Sequence, residues 1–384
     1  MKRTSAAIVN ERTTTMRVSH AAVLLAAALL VSAADLPALP RFAVQTGSKC
    51  QACHVNPSGG GMRQAFGAQY GREELPVQTW AQEFELEDVT TLLTNVLGVG
   101  ADFRTLYFSR QVPDSTGTTS TSQDAFWQMQ GDLYLNFRIA RKVNLYLKKG
   151  LYSGFEIFGL LNILPENGHV KVGKFIPNYG IKNDDHTTFV RTQTGFSPET
   201  GRPELTGLEA AVSPGAMHVT AGFYNAADAF GGGSSKKAFL GRAEGIFKLG
   251  SEAYAGLGGN VFRKGQENGS ITLYGGFGSV SIGDLTLLGE VDLMRTAREN
   301  TTVSGLIVYG EAGYVLTPGV DLKASYDFYD RDRDVKSGAV SRYSIGLEFF
   351  PIGGVEVRPM YRILVEDPKN VPNNELHILF HIYL

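Results

Sequence analysis

The chain has few cysteines, little net charge and, in its main part, no long apolar runs. Among 384 residues there are two cysteines, and the formal net charge is −2. This charge argues against nucleic-acid binding, which usually needs a basic surface. No apolar run of about 18 residues occurs after residue 33, which excludes membrane-spanning helices. No acid–base or nucleophilic constellation is evident, which argues against a hydrolase.

Both cysteines lie in one short motif, Cys50-Gln51-Ala52-Cys53-His54. C-x-x-C-H is the attachment pattern of c-type haem, in which both thiols bond to the porphyrin and the adjacent imidazole binds the iron. The alternative is a disulfide or redox-active C-x-x-C that a histidine follows by chance. We predict one covalently bound haem c at Cys50 and Cys53, with His54 as the proximal iron ligand.

The first residues predict export from the cytoplasm. A basic start at Met16 precedes the apolar run 21–31, and Val31-Ser32-Ala33 fits a cleavage site. The run is shorter than the ~20 residues of a membrane span. We interpret 1–33 as a secretory signal peptide with its true start at Met16, and export suits a c-type haem.

Residues 34–75 are the predicted haem segment, and 76–90 are a linker. About forty residues bury too little apolar area to fold alone, so we expect the haem and the surrounding barrel to stabilise them. Gly59-Gly60-Gly61 either lets the backbone approach the macrocycle or is a flexible loop. Met62 is the first candidate for the sixth iron ligand, and simple packing is its alternative role.

Residues 91–384 show a two-residue alternation of apolar and polar side chains. It is clear in 320–329, 342–349 and 355–365, and it is typical of outer-membrane β-barrels. A soluble β-sandwich shows the same alternation. Short turns that alternate with longer polar loops favour the barrel. The longer loops are expected near 227–236, 264–269, 295–302, 331–339 and 366–374.

Counting back from the last strand, 375–384, gives about 16 strands, with 14 as the main alternative. The count requires that 142–150 and 152–163 are separate strands. An even number leaves both termini on the periplasmic side, and a barrel of this width has an aqueous lumen. The predicted fold class is therefore all-β, a transmembrane antiparallel β-barrel in outer-membrane lipid with the haem segment plugging its lumen.

Two further groups of residues are predicted to face the lumen. The period of the last strand directs His377 and His381 inward, as polar lining residues or as weaker candidates for the sixth ligand. The longest loop, about 177–202, is expected to fold inward and constrict the pore, because long loops are usually functional. It contains His186, another candidate ligand. It also contains residues that line the pore, meet an ionic substrate or form ordinary salt bridges, namely Asp184, Asp185 and Arg191.

Three stretches outside the motif carry a family resemblance. Phe42-Ala43-x-Gln45-Thr46-Gly47 precedes the motif and Ala65-Phe66-Gly67 follows it, while Gly173-Lys174-Phe175-Ile176-Pro177 resembles phosphate-selective-type porins. The chain resembles the fused outer-membrane cytochrome–porins, which include monohaem proteins implicated in extracellular iron oxidation. The resemblance implies electron transfer between periplasmic cytochromes or other electron carriers and an extracellular electron donor or acceptor, with Fe(II) as the expected donor.

Three functions follow from these observations. The first is an electron conduit across the outer membrane, and an extracellular iron oxidase is its enzymatic form. The second is a solute-conducting porin with an accessory periplasmic haem module. The third is a porin with a disulfide between Cys50 and Cys53.

Overall fold

The chain is described here from a computed structural model that covers most of its length. The structure describes residues 41–81, 91–117, 120–151, 154–198, 203–227 and 235–384. The predicted signal peptide, 1–33, lies outside these residues, and so does the larger part of the predicted linker. Across the described ranges, no helix is long and apolar enough to cross a membrane.

Sixteen antiparallel strands close into a single barrel. They are β1 (Leu97–Pro113), β2 (Ser120–Ala140), β3 (Val143–Gly150), β4 (Phe155–Leu164), β5 (Gly168–Phe175), β6 (Leu205–Val212), β7 (Met217–Asn225), β8 (Lys237–Lys248), β9 (Ala253–Gln266), β10 (Gly269–Ile282), β11 (Leu285–Arg298), β12 (Thr301–Thr317), β13 (Val320–Asp330), β14 (Val340–Phe349), β15 (Val355–Glu366) and β16 (Glu375–Tyr383). Each strand pairs with its neighbours along the chain, and β1 closes the barrel by pairing with β16. The count of 16 is confirmed, as is the separation of β3 from β4.

Side chains alternate between the outer surface and the lumen. In β16, Phe380 and Ile382 are exposed on the outside, whereas His381 and Tyr383 are buried on the inside. Lipid favours apolar side chains outside, and the lumen accepts polar ones. The predicted inward orientation of His377 and His381 is therefore confirmed.

The turns differ in length between the two ends of the barrel, although less than predicted. Both chain termini of the barrel lie at one end, where the turns are short. At the other end, 331–339 and 367–374 are long loops. The long loops predicted near 264–269 and 295–302 are wrong, because each is a two-residue turn between strands that continue to Gln266 and Arg298. Backbone ladders form regardless of side-chain polarity, so polar composition alone did not mark a loop.

The N-terminal segment, residues 41–81, lies inside the barrel up to about residue 75, and its last helix lies beside the turn at Phe350. Its short helices are Arg41–Thr46, Cys50–Cys53, Ala65–Gln69 and Gln78–Ala81, with a π-helical turn at Tyr70–Glu74. Val44 has no exposed surface and packs on Ile246, Phe277 and Leu288 of the barrel wall. The segment thus occupies the lumen, as the sequence predicted.

Arg41 attaches the start of this segment to the wall. Its guanidinium pairs with Glu348 of β14 and, through Nη1 at 3.2 Å, with Asp321 of β13. Its side chain is only 7% exposed. A buried cation needs such partners, because an isolated charge is costly away from water.

A second attachment lies on the opposite wall, at Lys171 of β5. Lys171 Nζ is 2.8 Å from the Glu209 carboxylate and donates to Ser58 Oγ at 2.9 Å. Glu209 also accepts a hydrogen bond from Tyr224 Oη at 2.8 Å. Lys171 has no exposed surface, so this ion pair is fully enclosed.

We predict that Lys171→Met destabilises the barrel by about 3–5 kcal/mol, because it leaves the Glu209 carboxylate buried without its cation. Urea unfolding in lipid vesicles measures the change. The double variant Lys171→Met/Glu209→Gln should recover part of the loss, because no buried charge then remains. The matched control is Lys174→Met on the outer face of β5, and an equal loss in that variant would contradict the role given to Lys171.

Candidate functional site

The C-x-x-C-H motif forms one helical turn that ends in a tight hairpin. Cys50 and Cys53 lie on the short helix, and His54 N–H donates to the Cys50 carbonyl at 2.9 Å. Both cysteines are free thiols, not a disulfide. One turn of helix therefore brings two thiols and an imidazole together, which is the donor set that covalent haem attachment needs.

The hairpin decides which side chains face the same way as His54. His54 pairs with Arg63, and Val55 N–H donates to the Met62 carbonyl at 3.0 Å. Paired residues share a face and successive residues alternate. His54 and Arg63 therefore point to one side of the hairpin, and Val55 and Met62 point to the other.

Met62 consequently packs away from the imidazole. It is 1% exposed and belongs to an apolar cluster with Val55, Tyr134 and Tyr146. Added β-carbons at Gly98 and Gly100 of β1 would lie 2.5 and 3.1 Å from its side chain, so these glycines make room for it. Its thioether lines a different cavity from the one that His54 lines. This placement favours packing as the role of Met62.

The three glycines form the tip of the hairpin. Gly59, Gly60 and Gly61 have φ of +84°, +74° and +67°, a conformation that residues with a β-carbon rarely adopt. A β-carbon on Gly61 would lie 2.4 Å from Tyr146 Oη. The run is therefore required by the turn and by the nearby wall.

A cavity in the lumen lies against the motif. Cys50, Cys53 and His54 line it together with His186 and His381 of the surrounding barrel and loop. Its volume is about 260 Å³. Sites for small molecules usually measure ~300–1,000 Å³, so a macrocycle would fill this cavity and extend into the open lumen beside it.

The protonation states of the motif suit metal ligation. His54 Nδ1 lies 3.4 Å from the Gly61 carbonyl, which can only accept, so Nδ1 carries the proton and Nε2 presents its lone pair. Burial and the nearby Arg63 charge lower the pKa of His54 to about 4, which keeps the imidazole neutral. Burial raises the pKa of the Cys50 thiol to about 12. The residues present thus fit a c-type haem.

The longest loop, described over 176–198, folds into the lumen as predicted. Asp184 lies 2.7 Å from Arg358 of β15 and 3.4 Å from Lys323 of β13. Asp185 lies 2.7 Å from Arg362 of β15. The short helix Phe189–Thr192 follows. These ion pairs hold the loop, which we call the inward loop, against the wall.

Two of the predicted residues line the cavity and differ in the contacts that they make there. His186 Nε2 lies 2.8 Å from Arg104 Nη1 of β1, at the cavity wall. His381 is held at both ring nitrogens, by Glu356 at 2.9 Å and by Asp102 at 3.2 Å. This double contact favours His381 as a structural lining residue.

The remaining predicted residues lie at different depths. His377 pairs with Glu375 at 2.9 Å near the far end of β16, and it does not line the cavity. Arg191 is buried and lines the cavity. Asp184, which is salt-bridged to Arg358, lines the same cavity as Arg191.

A cluster of carboxylates in the lumen also has the spacing of a metal site. Oxygen atoms of Asp184, Glu348 and Glu356 lie within 4.8 Å of one another. Arg358 contacts all three, at 2.7 Å from Asp184 and at 3.4 Å from the two glutamates. Lys323 and Arg41 add further positive charge. The cluster therefore forms a balanced ion-pair network within the chain.

Comparisons with known proteins identify the fold. No family model and no curated protein matches the chain. OmpT of Vibrio cholerae has a TM-score of 0.55 at 14% identity and covers 77% of this chain and 100% of its own. An anion-selective porin from Comamonas acidovorans has a TM-score of 0.53 at 11% identity and covers 75% of this chain and 99% of its own. OprB of Pseudomonas putida has a TM-score of 0.55 at 10% identity and covers 75% of this chain and 94% of its own. The fold is that of outer-membrane porins, and the haem stays a prediction.

We predict that Asp185→Asn releases the inward loop. Arg362 would keep a buried charge without its carboxylate, at a cost of about 3–5 kcal/mol. The charges of Arg362 and Arg358 hold the pKa of Asp185 well below its usual range, so the pair should persist at pH 4 in the parent chain. Protease cleavage within 176–198 measures release. Asp334→Asn, in an exposed loop, is the control, and equal resistance in the Asp185 variant would contradict the anchoring role.

Proposed function

We propose that this chain is an outer-membrane protein that carries one c-type haem inside its barrel and transfers electrons across the membrane. The observation that carries the proposal is the position of Cys50, Cys53 and His54, which line one cavity in the lumen. An outer-membrane location is supported by the porin fold and by the apolar side chains on the outer face.

The residues of the motif have separate tasks. Cys50 and Cys53 would hold the haem through thioether bonds, each formed when a thiol adds across one vinyl group and its proton goes to a vinyl carbon. His54 would offer Nε2 to the iron, and the contact of its Nδ1–H with the Gly61 carbonyl would fix the plane of the imidazole ring. When bound, the haem supplies one-electron redox chemistry. The protein provides ligation, burial and access.

His186 is the preferred partner on the other side of the iron. It lies on the inward loop and lines the same cavity as His54, whereas Met62 lies on the opposite face of the hairpin. His381 is already held by two carboxylates. We therefore place His186 before Met62 as the sixth ligand, which reverses the order suggested by the sequence.

The redox partners follow from the barrel's two openings. A single haem is shorter than the ~25 Å apolar band of such a barrel, so a periplasmic cytochrome or other electron carrier must approach the mouth. An extracellular electron donor or acceptor meets the other opening. Ferrous iron is the donor that the resemblance of residues 40–72 implies, which would make the protein an extracellular iron oxidase.

Covalent attachment is tested by a haem stain of the denatured full-length protein. We expect a positive band for the parent and none for Cys50→Ser/Cys53→Ser. His186→Gln should remain positive, because covalent attachment does not need the sixth ligand. A negative parent would overturn the haem proposal. Haem reduction on adding Fe(II) tests the donor, and a haem that stays oxidised across pH would remove iron while leaving electron transfer in place.

A solute channel is the second candidate, and the porin fold supports it. One structural neighbour is described as an anion-selective porin from Comamonas acidovorans. In this reading the barrel conducts solutes and the haem module is accessory. The N-terminal segment argues against it, because Val44 and Met62 are buried within the lumen and reduce its open cross-section.

Single-channel conductance distinguishes the two functions. Deleting residues 35–75 should raise conductance on the order of tenfold, because a barrel of this width then has an open aqueous lumen. Cys50→Ser/Cys53→Ser keeps the segment and should conduct as poorly as the parent. A parent that conducts as well as the deletion variant would favour the solute channel.

A further inference from the structure

The cavity beside the motif carries an excess of positive charge. Seven lysine and arginine side chains line it, against five carboxylates. Arg63 is matched by Asp102 at 3.4 Å, and Lys148 by Asp132 at 3.1 Å. Within the described ranges, Arg104 has no carboxylate at ion-pair distance. Arg104 is therefore one of the residues that carry the excess positive charge of the cavity.

Arg104 of β1 is buried and faces into this cavity. Its side chain is 7% exposed, and its Nε has no hydrogen-bond partner in the described part of the chain. Nη1 contacts the His186 ring and donates to the Asp184 carbonyl at 3.4 Å. A guanidinium offers five N–H donors that match a carboxylate in pairs. Most of that capacity is unused here.

The charged groups that face Arg104 come from three elements. Asp102 lies two residues earlier on β1, and His381 of β16 is paired with Arg104 in the register. The inward loop contributes Asp184 and His186. Asp102 and Asp184 are themselves held by Arg63 and Arg358. Arg104 thus has room for a further anion.

A c-type haem carries carboxylate anions on the edge of the macrocycle that faces away from its thioether bonds. The two thioether bonds lie on one edge of the macrocycle, and the two propionate carboxylates lie on the opposite edge. Arg104 contacts the inward loop at Asp184 and His186, whereas Lys182 lines a small cavity together with Cys50. This placement is consistent with a position of Arg104 toward the propionate edge.

We propose that Arg104 binds a propionate carboxylate of the haem attached at Cys50 and Cys53. The assignment rests on the proposed function. A buried carboxylate beside a fixed guanidinium stays ionised, and the ion pair would orient the macrocycle in the lumen. Turning the His186 ring toward the iron would release Nη1 of Arg104 for the carboxylate.

Lys182 of the inward loop provides an internal comparison. It lines the same cavity, and burial together with Lys171 and Arg191 lowers its pKa to about 7. Its charge reaches both Cys50 and His54. Lys182 is therefore on the thioether side, and its loss should change the reduction potential without changing how a propionate titrates.

The test is spectroelectrochemistry of the haem-loaded, full-length protein across about pH 5 to 8. In Arg104→Gln we expect a lower reduction potential, because a positive charge near the iron is lost. We also expect the potential to fall more steeply with pH than in the parent, because the propionate pKa rises into this range. Arg104→Lys should restore the profile of the parent. Lys182→Gln should lower the potential mainly below about pH 7, where the Lys182 ammonium is charged, and should make the profile flatter than that of the parent.

Matched controls separate this proposal from the proposed function. Lys264→Gln removes a lumen-facing lysine outside the cavity and should leave the potential unchanged. An unchanged potential and an unchanged pH profile in Arg104→Gln would overturn the propionate assignment while leaving electron transfer intact. A steeper profile in Lys182→Gln instead would move the contact to Lys182 and also overturn it. A parent without covalent haem would overturn both proposals.

Discussion

The structure depends on the need to pair charges inside a closed barrel. The lumen of a 16-strand barrel is too wide for its own side chains to fill, and the inward-facing positions carry many charges. Arg41 and Lys171 are nearly inaccessible to water, so each must meet a carboxylate or another polar partner. The N-terminal segment and the inward loop both supply such partners to the charged side chains of the barrel wall. They fill the space and supply the partners at the same time.

The alternation of side chains could be predicted from the sequence, whereas the partners could not. A period of two directed His381 into the lumen without any knowledge of its neighbours. Its contacts with Glu356 and Asp102 join residues 25 and 279 positions apart, and no local pattern encodes them. Loop length failed for a related reason. Polar residues near 295–302 continue a backbone ladder that strand pairing alone maintains.

Within the site, the geometry of the hairpin, and not distance along the chain, determines which side chains face the same way as His54. Met62 is eight residues from His54 and was the first candidate for the sixth ligand on that ground. The sequence does not reveal that His54 and Met62 lie at positions of opposite parity in a hairpin. Pairing of His54 with Arg63 and of Val55 with Met62 turns the thioether to the other face. The glycines at 59–61 mark the turn, and this is the signal from which the parity could have been found.

The N-terminal segment also bears on the choice between channel and conduit. A porin that conducts solutes gains nothing from a segment that buries Val44 and Met62 in its lumen. Two free, partly buried thiols beside a neutral imidazole likewise have no role in diffusion. Both features follow directly if the segment exists to carry a redox group through an insulating barrel. The excess positive charge of the cavity would then match the propionate charge of the haem that we propose there.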